Sequence, residues 1–184
     1  VRLLDPQPGE AVLDLCAAPG GKTTFSAALM RNQGRVIANE PDARRRELIR
    51  ENCTRLGVNS VRIVTPGPFQ LQDTVGPFDR VLVDVPCSNT GVMRRRVDLR
   101  WRICAEEVTA LTRTQLDLLT RAADELRPGG VLVYSTCSLE PEENDAVVRA
   151  FLAARSDFRL ETERQLLPWR DGVDGAYVAK LVKA

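Results

Sequence analysis

The 184-residue sequence contains no histidine. That absence removes a Ser-His-Asp triad, a histidine general base and any histidine-ligated metal centre. Acid–base work is left to carboxylates, lysine, tyrosine or cysteine. Cysteine is scarce and odd in number: Cys16, Cys53, Cys87, Cys104 and Cys137 form no C-x-x-C pair. This argues against a disulfide framework or a zinc ribbon, and no metal is expected. No apolar run is long enough to span a bilayer, and the first residues, Val1-Arg2-Leu3-Leu4-Asp5, lack the character of a signal peptide. The expectation is a cytoplasmic protein with no membrane partner. A net charge of only +1 gives no global argument for a nucleic-acid partner, so any such argument rests on local clusters.

The length suits one domain with a sizeable core. Short β-like runs alternate with helical stretches. Strands are expected over 11–16, 35–38, 61–64, 80–83 and 131–134, with a final strand or hairpin in 175–182. Helices are expected from Gly21 to about Arg31, over 43–56 with Asp42 as N-cap and Gly57 as stop, over 106–126, and over 142–154. Repeated β-α units with short connections imply an α/β fold, a mostly parallel twisted sheet with helices on both faces. Ligands of such folds bind beyond the carboxyl ends of the strands, and the chemically notable residues cluster there. There is no internal repeat, low-complexity tract or linker. The chain begins almost at its first strand without an initiator Met, which suggests a fragment of a longer protein.

Cys16-Ala17-Ala18-Pro19-Gly20-Gly21-Lys22 joins the first strand to its helix. Adjacent glycines allow close backbone approach to a ligand, and the helix start offers free N–H donors. Glu40, twenty positions after Gly20, is placed to accept hydrogen bonds from ribose hydroxyls. A tight turn and a chance acid would look the same, but the spacing is not G-x-G-x-x-G, which disfavours a dinucleotide dehydrogenase. Asp84-Val85-Pro86-Cys87-Ser88-Asn89-Thr90-Gly91 follows the fourth strand, and Ser135-Thr136-Cys137-Ser138 ends the fifth. Two thiols at neighbouring strand ends can face one cleft, which with Asp84 and Lys22 suits covalent addition to an electrophilic ring. Cys16, Cys53 and Cys104 have no such companions and read as packing residues. Arg94, Arg95 and Arg96, followed by Arg100, Trp101 and Arg102, form the strongest basic cluster. The arginines suit phosphate contact, whereas Trp101 reads as tucked into the core. Residues 140–143 read as a helix start rather than a catalytic acid.

These segments, with Glu142-Glu143-Asn144 after the Cys137 motif, resemble the signature motifs of the RNA 5-methylcytosine methyltransferases, the Sun/Fmu (NSUN) family, from about Asp5 to Lys183. The resemblance implies a Rossmann-like class I methyltransferase catalytic domain over 1–184 that uses S-adenosylmethionine. It implies that Cys16–Lys22 surrounds the cofactor, that Glu40 holds its ribose, and that Asp84 lies near the reacting groups. It further implies that Cys137 attacks cytosine C6 and that Cys87 assists product release, with Asp84 as a protonated or proton-sharing partner at N3. The partner implied is RNA, ribosomal RNA in particular, with a monomeric enzyme favoured. Two departures stand out. The family's acid after the third strand, near the adenine, is replaced by Val64-Thr65-Pro66-Gly67-Pro68, and Val97 stands where proline is common. The family's upstream RNA-binding region is not part of this sequence. A DNA-type cytosine-5 methyltransferase would instead use Cys87 as nucleophile, and a non-catalytic RNA-binding module would merely keep the fold.

Overall fold

The computed structural model describes residues 1–65 and 76–184. Its strands are β1 (Ala11–Asp14), β2 (Arg35–Asn39), β3 (Val61–Val64), β4 (Phe78–Asp84), β5 (Leu126–Thr136), β6 (Phe158–Leu166) and β7 (Ala176–Lys183). They form one sheet in the order β3-β2-β1-β4-β5-β7-β6. Strands β1 to β5 pair in parallel, and β7 runs antiparallel between β5 and β6. The helices are α1 (Gly21–Leu29), α2 (Ala43–Arg55), α3 (Ala105–Asp124), α4 (Asp145–Ala154) and the short α5 (Pro168–Asp171).

The two-residue period of a strand sends neighbours to opposite faces. Val12, Leu82 and Val133 pack with Ala27 of α1 and Met30 at its C-cap, whereas Leu13, Val81, Val83 and Leu132 pack with α3 and α4 through Leu119, Ala122, Val148 and Phe151. Both faces of the central strands are therefore covered, which is why these strands read as continuous apolar runs rather than alternating ones. Helix α2 starts as expected, with the Asp42 carboxylate accepting from the amides of Arg44 and Arg45 at 2.7 and 2.9 Å. Ile49 seats this helix against Ala38.

Three expectations change. Strand β6 was not foreseen: its side chains are largely exposed from Arg159 to Arg164, so it carries no apolar alternation and exists through its ladder to β7. As a charged edge strand it also discourages pairing with other chains. Residues 127–130, read as a stop before the fifth strand, lie within β5. Phe78 pairs with Leu126 and Arg80 with Val131, so these four residues stand opposite Asp79 alone and loop outwards. The helix expected from 142 begins only at Asp145, after a 3-10 turn over Pro141–Glu143.

A clasp joins three segments at the carboxyl edge. The Gly91 amide donates to the Cys137 carbonyl at 2.9 Å, and the Gly175 amide donates to the Gly91 carbonyl at 2.9 Å. A Cβ at Gly91 would press on the Gly175 carbonyl and come within 2.8 Å of the Cys137 carbonyl. Gly91→Ala is expected to lower stability by about 1–3 kcal/mol, the usual cost of overpacking. Urea unfolding checks this, and an unchanged midpoint would mean that the clasp opens without cost.

Candidate active site

Strands β1 and β4 are adjacent, but the chain leaves them on opposite sides of the sheet, which opens a crevice between their carboxyl ends. Cys16, Glu40, Asp84, Cys87 and Cys137 line one cavity of about 470 Å³ there, together with Arg96. A second cavity of about 490 Å³ is lined by Lys22, Phe25, Ser135 and Tyr177. The two share Asp84 and Cys137.

At that junction Lys22 Nζ lies 2.6 Å from Asp84 Oδ2, and Ser135 donates to Asp84 Oδ1 at 2.6 Å. Burial works against the Lys22 charge, but the Asp84 carboxylate outweighs it and holds the ammonium above its ordinary value. The two thiols meet with Cys87 Sγ and Cys137 Sγ 3.3 Å apart. A hydrogen bond from Cys87 favours the Cys137 thiolate. Burial and Asp84 oppose it and Lys22 helps, so Cys137 lies below the ordinary thiol value. The same contact and burial push Cys87 well above it. The pair thus separates into a more acidic thiol, Cys137, and a less acidic one, Cys87.

The glycine turn is built differently from expectation at one point. Gly20 adopts φ +101°, and a Cβ there would sit 3.2 Å from Ile49 Cα, so its close neighbour is α2 rather than a ligand. Gly21 has open space beyond its Cα. The turn is tied down from α2, where Arg45 donates to the Ala18 carbonyl at 3.2 Å and Asn52 to the Pro19 carbonyl at 2.9 Å. Ala17 is buried against that helix. Glu40 is 1% exposed; the Asp42 amide donates to Oε1 at 3.0 Å and Arg45 lies 3.5 Å from Oε2.

Other expected residues fall elsewhere. Arg94 and Arg95 both pair with Asp174, at 2.6 and 2.9 Å. Trp101 is not in the core: it is 86% exposed, and Leu99 is the residue that its 3-10 turn buries. Cys104 is exposed rather than packed, and Cys16 faces the first cavity, where burial pushes its thiol up to about 12. Cys53 packs beside Ile49. Thr65 is exposed, and the rest of the adenine-side stretch, from Pro66, lies outside the described residues.

Four polar residues take roles that the sequence did not assign them. Asn89, at φ +63°, donates to the Cys87 carbonyl at 2.6 Å and accepts from the Cys137 thiol at 3.0 Å. Asn39 donates to the Leu15 carbonyl at 2.9 Å, and its Oδ1, at the first cavity, has no partner. Ser135 orients Asp84, and Glu143 is fully buried beneath the two thiol loops. Asn89, Ser135 and Glu143 stand within the motif segments, and Asn39 closes an apolar strand.

This sheet order and its carboxyl-edge crevice define a Rossmann-like class I methyltransferase fold. The model of the family described as 16S rRNA methyltransferase RsmB/F matches residues 1–182, and the chain belongs to that family. The ribosomal RNA small subunit methyltransferase B of Vibrio cholerae is 42% identical over 188 residues, covering 98% of this chain and 43% of that protein. The chain spans less than half the length of these curated relatives. NSun6 from Pyrococcus horikoshii, solved with SFG, superposes with a TM-score of 0.89 at 34% identity, over 99% of this chain and 50% of that one. TrmN from Thermus thermophilus shares the fold, with a TM-score of 0.70 at 24% identity over 100% of this chain and 46% of that one. The family resemblance read from the motifs is thereby borne out.

Asp14, at the end of β1, is buried; Thr23 donates to its Oδ2 at 2.6 Å, and Oδ1 has no partner. Burial outweighs the Thr23 bond and pushes the carboxyl from 3.8 up to about 6. The folded chain therefore favours the protonated form. This stabilisation is complete below 3.8 and is lost as pH rises through about 6. Asp14→Asn keeps the Thr23 acceptor and removes the titration. The variant is expected to gain on the parent by up to about 3 kcal/mol between about pH 4 and pH 7. Urea unfolding across that range tests it, and parallel stability curves would mean that Asp14 ionises freely in the fold.

Proposed function

We propose that this chain transfers a methyl group from S-adenosylmethionine to C5 of cytosine in RNA, ribosomal RNA in particular, with Cys137 as the nucleophile. The observation that carries this reading is the pair of thiols 3.3 Å apart beside the Lys22–Asp84 ion pair. Such a group adds to an electron-poor ring and leaves again without histidine or metal. The relatives' names, which specify ribosomal RNA of the small subunit, support the substrate class.

The residues present fit S-adenosylmethionine. The first cavity is within the size range of small-molecule sites. The buried Glu40 carboxylate faces it as an acceptor for a ribose diol, and the unpartnered Asn39 Oδ1 offers a second acceptor. When bound, the cofactor supplies an electrophilic sulfonium methyl group. Cys16 and Ala18, with Gly21 at the helix start, would border it.

The remaining steps belong to the protein. Cys137 adds as thiolate to cytosine C6, and C5 becomes enamine-like and nucleophilic. Lys22, 2.6 Å from Asp84 Oδ2, takes the role of donor to cytosine N3 or O2, with Asp84 as its proton-sharing partner beside the amino group. After methylation the C5 proton passes to water and the Cys137–C6 bond breaks. Cys87, held protonated, donates to the departing Cys137 sulfur and so assists release. Arg96, which carries no ion pair among the described residues, is the strongest of the three arginines for RNA phosphate contact. Arg94 and Arg95 share theirs with Asp174.

Cys137→Ala is expected to abolish methylation and any covalent protein–RNA adduct. Cys87→Ala is expected to accumulate the adduct as a shifted band on a denaturing gel. The reverse pattern would assign the nucleophile to Cys87, as in the DNA-type mechanism, and no adduct in either variant or methylation by the parent would favour a binding module. Glu40→Ala is expected to weaken S-adenosylmethionine binding by about ten-fold or more, the loss of a buried charge-assisted hydrogen bond. Calorimetry showing unchanged affinity would remove Glu40 from the cofactor site.

A further inference from the structure

Beneath the two thiols lies a carboxylate that no step above uses. Glu143 is 0% exposed. Its Oε1 accepts from the Ser88 amide at 2.9 Å and from Gln115 Nε2 at 2.8 Å. Its Oε2 accepts from the Ser88 and Ser138 hydroxyls. Four donors thus converge on one side chain from three elements. Ser88 is the neighbour of Cys87, Ser138 is the neighbour of Cys137, and Gln115 lies on α3 and also donates to the Pro86 carbonyl at 3.0 Å. The main chain is fixed too, because the Tyr134 hydroxyl donates to the Glu143 carbonyl at 2.6 Å. Next to it, Asn144 accepts from Thr136 at 2.5 Å and donates to the Ser138 carbonyl at 3.0 Å.

We infer that Glu143 is a positioning residue that sets the separation of Cys87 from Cys137 by anchoring the residue after each cysteine to a single carboxylate. Burying a carboxylate without a cation is costly unless its lone pairs are filled, and here four donors fill them. The arrangement resists displacement because moving either loop strands a donor or an acceptor in the interior. Sulfur-to-sulfur hydrogen bonding depends on that spacing, and so therefore does the division of labour between a thiolate and a thiol. The catalytic consequence rests on the methyltransferase reading above, whereas the spacing itself does not.

The test uses a probe of spacing that needs no RNA. Phenylarsine oxide condenses with two neighbouring thiols, forming two As–S bonds and releasing one water, and intact-mass spectrometry counts the bridge. The parent chain is expected to take up one arsenical that resists exchange with monothiols, and Cys87→Ser is expected to lose it. Glu143→Ala is expected to bind the arsenical about ten-fold more weakly or worse, with cofactor affinity within about two-fold of the parent. Methyl transfer should fall by a similar factor in kcat rather than in KM for the cofactor. Glu143→Gln keeps an acceptor for Ser88 and Gln115, and its amide can donate to the two hydroxyls once they rotate. It is expected to restore most of the bridging. Should Glu143→Ala not fold, Ser138→Ala cuts the Glu143 tie to the Cys137 loop, together with the Ser138 contacts to Ser88, Thr90 and the Glu140 amide, and is expected to weaken bridging in the same direction. Parent-like bridging in Glu143→Ala, or in Ser138→Ala if that variant has to stand in, would overturn the inference. So would lost bridging with unchanged methylation. If the parent bridges but never methylates RNA, it is the proposed function that fails, and the bridging series still decides whether Glu143 sets the spacing.

Discussion

The register of β4 against β5 is the constraint from which the site follows. Asp84 stands opposite Ser135, and the Val85 amide donates to the Ser135 carbonyl at 3.1 Å. The two strands therefore end together, and the loops that leave them start side by side. Cys87 comes three residues after Asp84 and Cys137 two residues after Ser135. Parallel pairing thus brings two thiols fifty positions apart to a common point with no dedicated scaffold. A slip of one residue would turn Asp84 towards a helix layer and break its contact with Ser135. The apolar faces prevent that slip, since Val81 and Val83 would then point away from α3 and α4.

Without histidine, the chain obtains graded acidity from geometry. Lys22 and Asp84 neutralise one another at the cavity junction. The cysteines are driven apart in acidity by their mutual hydrogen bond, with burial and Lys22 tilting the balance. Asn89 adds a left-handed backbone residue whose side chain reaches both cysteine loops. Glycine would accept that backbone conformation as readily, but only a carboxamide or a carboxylate gives the Cys137 thiol an acceptor there.

Much of this was legible before any coordinates. Reactive side chains had to lie at strand ends, and the strands were marked by apolar runs, so Lys22, Asp84, Cys87 and Cys137 could be placed on one edge. What escaped was information that exists only in partnership. Ser135, Asn89 and Glu143 stand in the motif segments, but their roles lie in hydrogen bonds to groups far along the chain. Strand β6 escaped because an edge strand need not bury a face. Trp101 was misplaced because an aromatic side chain was assumed to seek the core, while Leu99 occupies the inward position of the same turn. The arginine cluster was only half informative, since Asp174, eighty positions away, takes two of its three members.

The position of β7 has a consequence for how the molecule is made. Its residues come after those of β5 and β6, yet it lies between them. During synthesis from the amino terminus, β1 to β5 can assemble while the outer edge of β5 stays open. That edge is apolar, with Leu132 and Tyr134 buried in the finished sheet, and it is a template for illegitimate strand pairing until residues 176–183 emerge. Gly175, which clamps the Gly91 carbonyl beside Cys137, arrives in the same instalment. A nascent chain therefore holds both cysteines well before β7 and Gly175 complete the clasp beside Cys137.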